Sequence, residues 1–142
     1  MDFFFVEPEV AGGLGSRTKM DVGVHPPVIH SLHYELQGWL GDVLLESFPA
    51  FVLTQDVARA LVQAKLTGMD FSDVEITKGE QFDELYPGRA VPKFFWLKPR
   101  GTLAVDDFSC YPDGRLVVSG RALELLKTAG ISNASIEPYS AN

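Results

Sequence analysis

The sequence predicts an α+β fold, in which one domain spans residues 1–142 and two or three short helices pack on one face of a mixed, mostly antiparallel sheet. Its length suits a single domain. A hydrophobic content of 46%, with 11% aromatic residues, is enough for a packed core and too high for a disordered chain. The third observation is a repeat, because the segment 51–71 recurs without a gap, 65 positions later, at 116–136.

The two copies of the repeat share a pattern more than an identity, since only three aligned positions hold the same residue. Each copy runs from an apolar strand to Thr54 or Ser119, which are preferred helix N-cap residues, and then to an apolar stripe of helical spacing. About a dozen residues separate the two strands of a copy, just enough for a crossover connection. The pattern predicts two similar β-α-β units, over 50–76 and 115–138, and leaves open whether they arose by duplication.

Shorter patterns predict the other elements along the chain. Pro and Gly punctuate the sequence and end each element, and the β-branched and aromatic stretch around Trp96 gives the strongest strand signal. Periodicity does not distinguish a strand from a helical turn over a run as short as 42–49. We predict strands over 3–6, 28–36 and 91–97, a flexible loop over 12–16, a strand or helical turn over 42–49, a helix over 78–85, and a loop or edge strand over 106–111.

The net charge of −7 argues against two classes of partner. Nucleic acid selects a basic surface and an anionic membrane repels an acidic one, so we expect neither direct nucleic-acid binding nor membrane binding. A negative protein is instead steered toward cationic partners. The N-terminus lacks the basic start and the long apolar run of a signal peptide or membrane span, so a cytoplasmic protein is expected.

The inventory of reactive side chains is small. The single Cys110 cannot form an internal disulfide, and His25, His30 and His33 are the only histidines. Neither HExxH nor CxxC spacing occurs, so we predict no metal site, no cofactor and no catalytic residue. A small thiol enzyme that uses Cys110 with one of the histidines stays open as the alternative.

Acidic residues concentrate in one part of the chain, where 70–84 holds six carboxylates against the single Lys78. Such a run is typical of a solvated face, and it also suits the docking surface of a cationic protein. The adjacent Asp106 and Asp107 are expected to face solvent. Exposed Trp39 or Tyr86 would supply an aromatic anchor. The candidate partner-binding residues are therefore Asp70, Asp73, Glu80, Asp83, Glu84, Asp106 and Asp107, with Trp39 and Tyr86.

One segment resembles a known group of proteins. The second repeat copy, which runs through Leu116-Val-Val-Ser119 and its helix to Ile136-Glu137-Pro138, is similar to the C-terminal signature of small bacterial immunity proteins encoded beside polymorphic toxins. The aromatic strand Phe94-Phe95-Trp96-Leu97 adds to the likeness, which covers about 91–138 and, less closely, 42–76. The resemblance implies a non-enzymatic protein that neutralises a cognate toxin by occlusion. It carries over no binding residues, because such interfaces differ from pair to pair.

A scaffold function is the remaining alternative. The repeat would place two similar strand edges on the surface, and exposed edges pair readily between chains. A homodimer held by such pairing therefore stays open beside the toxin-binding and enzymatic hypotheses.

Overall fold

Thirteen strands and three short helices make up the computed structural model, which describes residues 2–140. The α+β prediction is confirmed. The strands are β1 (Phe3–Glu7), β2 (Gly12–Leu14), β3 (Lys19–Asp21), β4 (Val28–Ser31), β5 (His33–Leu36), β6 (Leu44–Ser47), β7 (Ala50–Thr54), β8 (Met69–Ser72), β9 (Glu75–Lys78), β10 (Phe94–Pro99), β11 (Phe108–Cys110), β12 (Leu116–Ser119) and β13 (Ser135–Pro138). The helices are α1 (Gln55–Gln63), α2 (Glu80–Leu85) and α3 (Gly120–Ala129).

The strands form four sheets, where the sequence predicted one. Sheet I has the order β11-β12-β1-β13, sheet II the order β6-β7-β10-β8, and sheet III the order β2-β5-β9, while β3 and β4 form a separate hairpin. All pairings between the strands are antiparallel except that of β5 with β9. The mostly antiparallel pairing was predicted, but a hydrophobic pattern carries no information on which strand pairs with which.

Each predicted β-α-β unit is present, with one difference in its pairing. In sheet II the strands that flank α1 are not neighbours, because β10 lies between β7 and β8. In sheet I the strands that flank α3 are separated in the same way by β1. Each unit is therefore completed by a central antiparallel strand from another part of the chain.

The two central strands match each other in sequence and in register. The chain reads Phe3-Phe-Phe-Val-Glu-Pro8 at β1 and Phe94-Phe-Trp-Leu-Lys-Pro99 at β10. Phe4 pairs with Val118 and Phe95 pairs with Leu53, and the repeat aligns those two partners with each other. The repeated unit is thus larger than the sequence pattern indicated. The first half of the chain, from β1 to α2, contributes β1 to sheet I. The second half, from β10 to β13, contributes β10 to sheet II.

One core lies between the helices and the inner faces of sheets I and II, and α1 contacts α3 within it. Burial of a large aliphatic or aromatic side chain contributes about 1.5–3 kcal/mol, so these positions stabilise both halves together. Matched pairs of buried residues supply much of this core, namely Val6 and Leu97, Phe51 and Leu116, Leu53 and Val118, and Leu61 and Leu126.

A second core covers only the outer face of sheet II. Trp96 and Val52 on that face pack against Tyr34 and Leu36 of sheet III and against Phe82 of α2. Sheet III and α2 come from two segments of the chain. The segment between β1 and β6 supplies β2 and β5, and the segment between β8 and β10 supplies β9 and α2. These segments form an insertion that packs on sheet II, the sheet of the first repeat copy.

Two local predictions need correction. The glycine-rich segment was predicted to be a loop, but it forms β2, because a Cβ on Gly12 would overlap the backbone carbonyl of Glu35 and only Gly permits that approach. Thr54 precedes α1 without a side-chain capping bond, whereas the Ser119 hydroxyl accepts a hydrogen bond from the Ala122 amide at 3.2 Å. For the segment 42–49, where the sequence left a strand and a helical turn open, the structure has the strand β6.

Candidate functional site

Helix α2 presents three of the predicted carboxylates to solvent. Glu80, Asp83 and Glu84 are all exposed, and within residues 2–140 none of their side chains has a hydrogen bond or an ion pair. The helix has only six residues and is held by Phe82, which is fully buried in the second core. A polar outer face and one apolar anchor explain why this sequence forms a short surface helix.

A polar hollow lies between α2 and the end of β5. Its volume is about 760 Å³, and its walls carry the carboxylates of Glu35, Glu80 and Glu84 together with Gln37 and Gln81. The Gln37 amide donates a hydrogen bond to Glu35 at 2.8 Å. No Lys or Arg lines this hollow, so the local surface is acidic.

An apolar groove adjoins the polar hollow and shares Gln37 and Leu85 with it. Its volume is about 470 Å³. Three exposed apolar side chains line it, with exposed fractions of 67% for Val10, 68% for Leu40 and 55% for Leu85. We call this feature the α2 groove; its lining comprises residues 9–12, 37–40, 85 and 86.

The two predicted aromatic anchors both border the α2 groove, but one of them is not exposed. Trp39 retains only 9% of its surface, and its indole N–H donates to the Asp42 carbonyl at 3.0 Å. The Arg89 guanidinium lies 4.5 Å from the Trp39 ring centroid and 4.8 Å from that of Tyr86. Trp39 therefore forms the floor of the groove, while the half-buried Tyr86 borders it.

Asp107 is not the solvent-facing residue that the sequence suggested. It is 4% exposed and accepts hydrogen bonds from the Ser119 hydroxyl at 2.6 Å, from Arg121 at 2.7 and 2.9 Å, and from the Thr67 amide at 2.9 Å. The Arg121 hydrogen bonds hold the pKa of this carboxyl well below its usual range. Asp106 accepts from the Thr102 amide at 2.6 Å within its own loop. Both carboxylates therefore accept hydrogen bonds within the fold.

The other predicted acids lie away from α2. Asp70, on the edge strand β8, forms an ion pair with Arg100 at 3.2 Å, and Asp73 is exposed in the turn that follows. Glu75 forms an ion pair with Arg17 at 2.5 Å. Exposed pairs of this kind contribute little to stability, about 0–1 kcal/mol, but they neutralise the local charge. Within residues 2–140, the carboxylates of the acidic run that form no ion pair are therefore that of Asp73 and the three on α2.

The reactive side chains are not arranged for thiol chemistry. Burial, followed by the nearby Asp113 and Glu46, raises the pKa of the Cys110 thiol, whereas a nucleophilic cysteine needs a lowered pKa. The thiol donates to the Tyr111 carbonyl at 3.4 Å, and no hydrogen bond joins it to a histidine in the described chain. His33 is buried and bonded to the Thr77 hydroxyl at 2.7 Å. Across residues 2–140 there is no group of three or more His, Cys, Asp or Glu placed to hold a metal ion.

Glu46 is an unusual carboxyl that sequence reasoning missed. It lies on β6 at the position that Cys110 occupies on β11, since each pairs with the matched residue of the repeat. Burial, with a smaller contribution from Glu7, raises the pKa of Glu46 to about 7. Its position directly after the apolar pair Leu44-Leu45 is the only sequence signal that pointed to a partly buried acid.

Comparison with known proteins adds no relative. No protein-family model, no curated protein and no solved structure matches the chain. Among the described residues there is also no helix of the length and apolar character needed to cross a membrane.

Proposed function

We propose that the chain is a non-enzymatic immunity or antitoxin protein, which binds a cognate cationic toxin through the acidic face around α2 and neutralises it by occlusion in the cytoplasm. The observation that carries this proposal is the set of exposed carboxylates on α2, which form no ion pair within residues 2–140, beside an exposed apolar groove. The resemblance of 91–138 to immunity proteins agrees with it.

The charge distribution supports binding by electrostatic steering. Acidic surfaces accelerate encounters with basic proteins, and the acceleration falls as salt screens the charges. Asp70 and Glu75 are already neutralised by Arg100 and Arg17, so they add little to the field. A toxin that carries a basic substrate groove would be steered toward α2, and the bound protein would then block that groove.

The environment of Cys110 gives the enzymatic alternative no support. A thiol whose pKa is raised by burial and by acidic neighbours is a poor nucleophile at neutral pH. The proposed role requires no catalytic residue, because the protein acts by binding through the acidic face around α2.

The first test is protection of cells from the toxin encoded beside the protein. The double variant Glu80→Lys with Glu84→Lys should lose protection and weaken toxin affinity by at least about tenfold at low salt, or about 1.4 kcal/mol. The matched control is Glu124→Lys with Glu137→Lys, which makes the same charge change at exposed positions of the second half. Equal protection by both double variants would remove the acidic face from the proposal.

A further inference from the structure

We propose that the α2 groove receives an amphipathic cationic helix of the partner protein. The apolar side of that helix would contact Val10, Leu40 and Leu85, and its Lys or Arg side chains would meet the carboxylates in the adjoining polar hollow. This inference rests on the proposed function and specifies the structural element that the partner presents.

Exposed apolar side chains cluster in the α2 groove. Single exposed apolar residues are ordinary on protein surfaces, whereas contiguous ones in a polar-rimmed concavity indicate a binding site. Val10, Leu40 and Leu85 come from three separate segments and converge on one groove. The fold therefore assembles an apolar strip that no single stretch of the sequence contains.

The carboxylates of the polar hollow have a spacing that matches a helix. Glu80 and Glu84 are four residues apart on α2, so they lie on one side of it, about 6 Å apart along the axis. Basic residues three or four positions apart on a partner helix have the same spacing. Glu35 adds a third carboxylate from β5. Charge complementarity thus favours a cationic helix over a neutral or acidic one, by the helix-in-groove mode of recognition.

The groove is also held in shape by internal contacts. The Trp39 indole is fixed by its bond to the Asp42 carbonyl, and the Arg89 guanidinium donates to the Trp39 carbonyl at 2.9 Å. Arg89 keeps its positive charge, but it lines neither the groove nor the adjoining polar hollow. A floor that needs no reordering lowers the entropic cost of binding.

The test uses a designed probe in place of the unidentified partner. The probe is a Leu/Lys peptide of about 18 residues with its Leu at helical spacing, and the comparator is a peptide of identical composition in scrambled order. Trp39 lies in the groove and reports binding by its fluorescence, with Trp39→Phe as the assignment control. We expect the amphipathic peptide to bind the full chain at least about tenfold more tightly than the scrambled one.

Groove variants separate this inference from general attraction of cations. Leu40→Ser with Leu85→Ser should weaken the amphipathic peptide by about tenfold, while Val105→Ser, an equally exposed apolar position elsewhere, should have no effect. Equal binding of both peptides, or no loss in the groove variant, would overturn the helix-in-groove inference and leave the acidic face intact. Retained toxin protection in the Glu80 and Glu84 variant would instead count against the proposed function.

Discussion

The two halves of the molecule share one strand-and-helix plan and differ in what covers their sheets. On sheet II, Trp96 is 8% exposed and lies beneath sheet III. On sheet I the matched residue, Phe5, is half-buried; its ring is 5.3 Å from those of Tyr111 and Tyr139, and the Arg115 guanidinium lies 3.8 Å from its centroid. The repeated unit is therefore the scaffold, and the insertion on the first half supplies the candidate binding surface.

The proposed binding residues follow the same division. Glu35, Glu80 and Glu84 all belong to the inserted elements, and so does Leu40 of the groove. Asp107 and Asp42, which contact the turns after the repeat helices, have structural partners instead. A surface that differs between the halves can change without loss of the shared core, which suits a protein whose partner varies.

The largest effect is expected where the halves hold each other. Asp107, in the second half, binds the turn after α1 through Thr67, and Asp42, in the first half, binds the turn after α3 through Asn133 at 2.8 and 2.9 Å. Asp107 also pairs with Arg121. Arg121 is exposed and stays solvated when its partner is removed, so the cost comes mainly from the Ser119 and Thr67 donors that lose their acceptor. Asp107→Ala should lower the free energy of unfolding by about 3 kcal/mol.

Asp42→Ala is the matched comparison for Asp107→Ala. It removes the acceptor of two hydrogen bonds from the neutral donors of Asn133 and breaks no ion pair, so the expected loss is smaller, about 1–2 kcal/mol, and urea denaturation measures both variants. Because the pKa of Asp107 is lowered in the folded state, its contribution is present above the usual range of an Asp pKa and is lost as the pH falls below it. Equal losses for the two variants at neutral pH would contradict this ranking.

A smaller effect is expected from Glu46. Its pKa of about 7 in the folded state lies above the usual value of 4.5, so the folded protein loses stability through this group as the pH rises from about 4.5 to 7. Glu46→Gln should therefore raise the melting temperature at pH 8 and leave it nearly unchanged at pH 4.5. The exposed Glu137→Gln serves as control. A pH-independent shift would show that the Glu46 carboxyl is not buried as described.

The sequence predicted the parts of the fold that depend on local pattern. The helices α1 and α3 and their flanking strands were found because a single offset of 65 positions aligns them. The matching central strands were missed because they align at an offset of 91, from Phe3 to Phe94, as the insertion lengthens the first half. Strand exchange between the halves was therefore invisible to an ungapped comparison.

The candidate site was predicted only in part. The α2 acids and Tyr86 were named because they are close in sequence, but the groove is built from segments that meet only in the folded chain. Asp107 was misassigned because nothing in its sequence neighbourhood reveals the contact with Arg121, 14 positions later. Burial of Trp39 likewise depends on Arg89, which lies 50 positions away.

The most direct test of the central claim is a map of backbone amide chemical-shift changes in the full chain on addition of the inactivated cognate toxin. We expect the changes to concentrate in 35–40 and 80–89, the segments that contribute to the polar hollow and the α2 groove. Changes confined to the cluster of Phe5, Tyr111 and Tyr139 on the second half would contradict it.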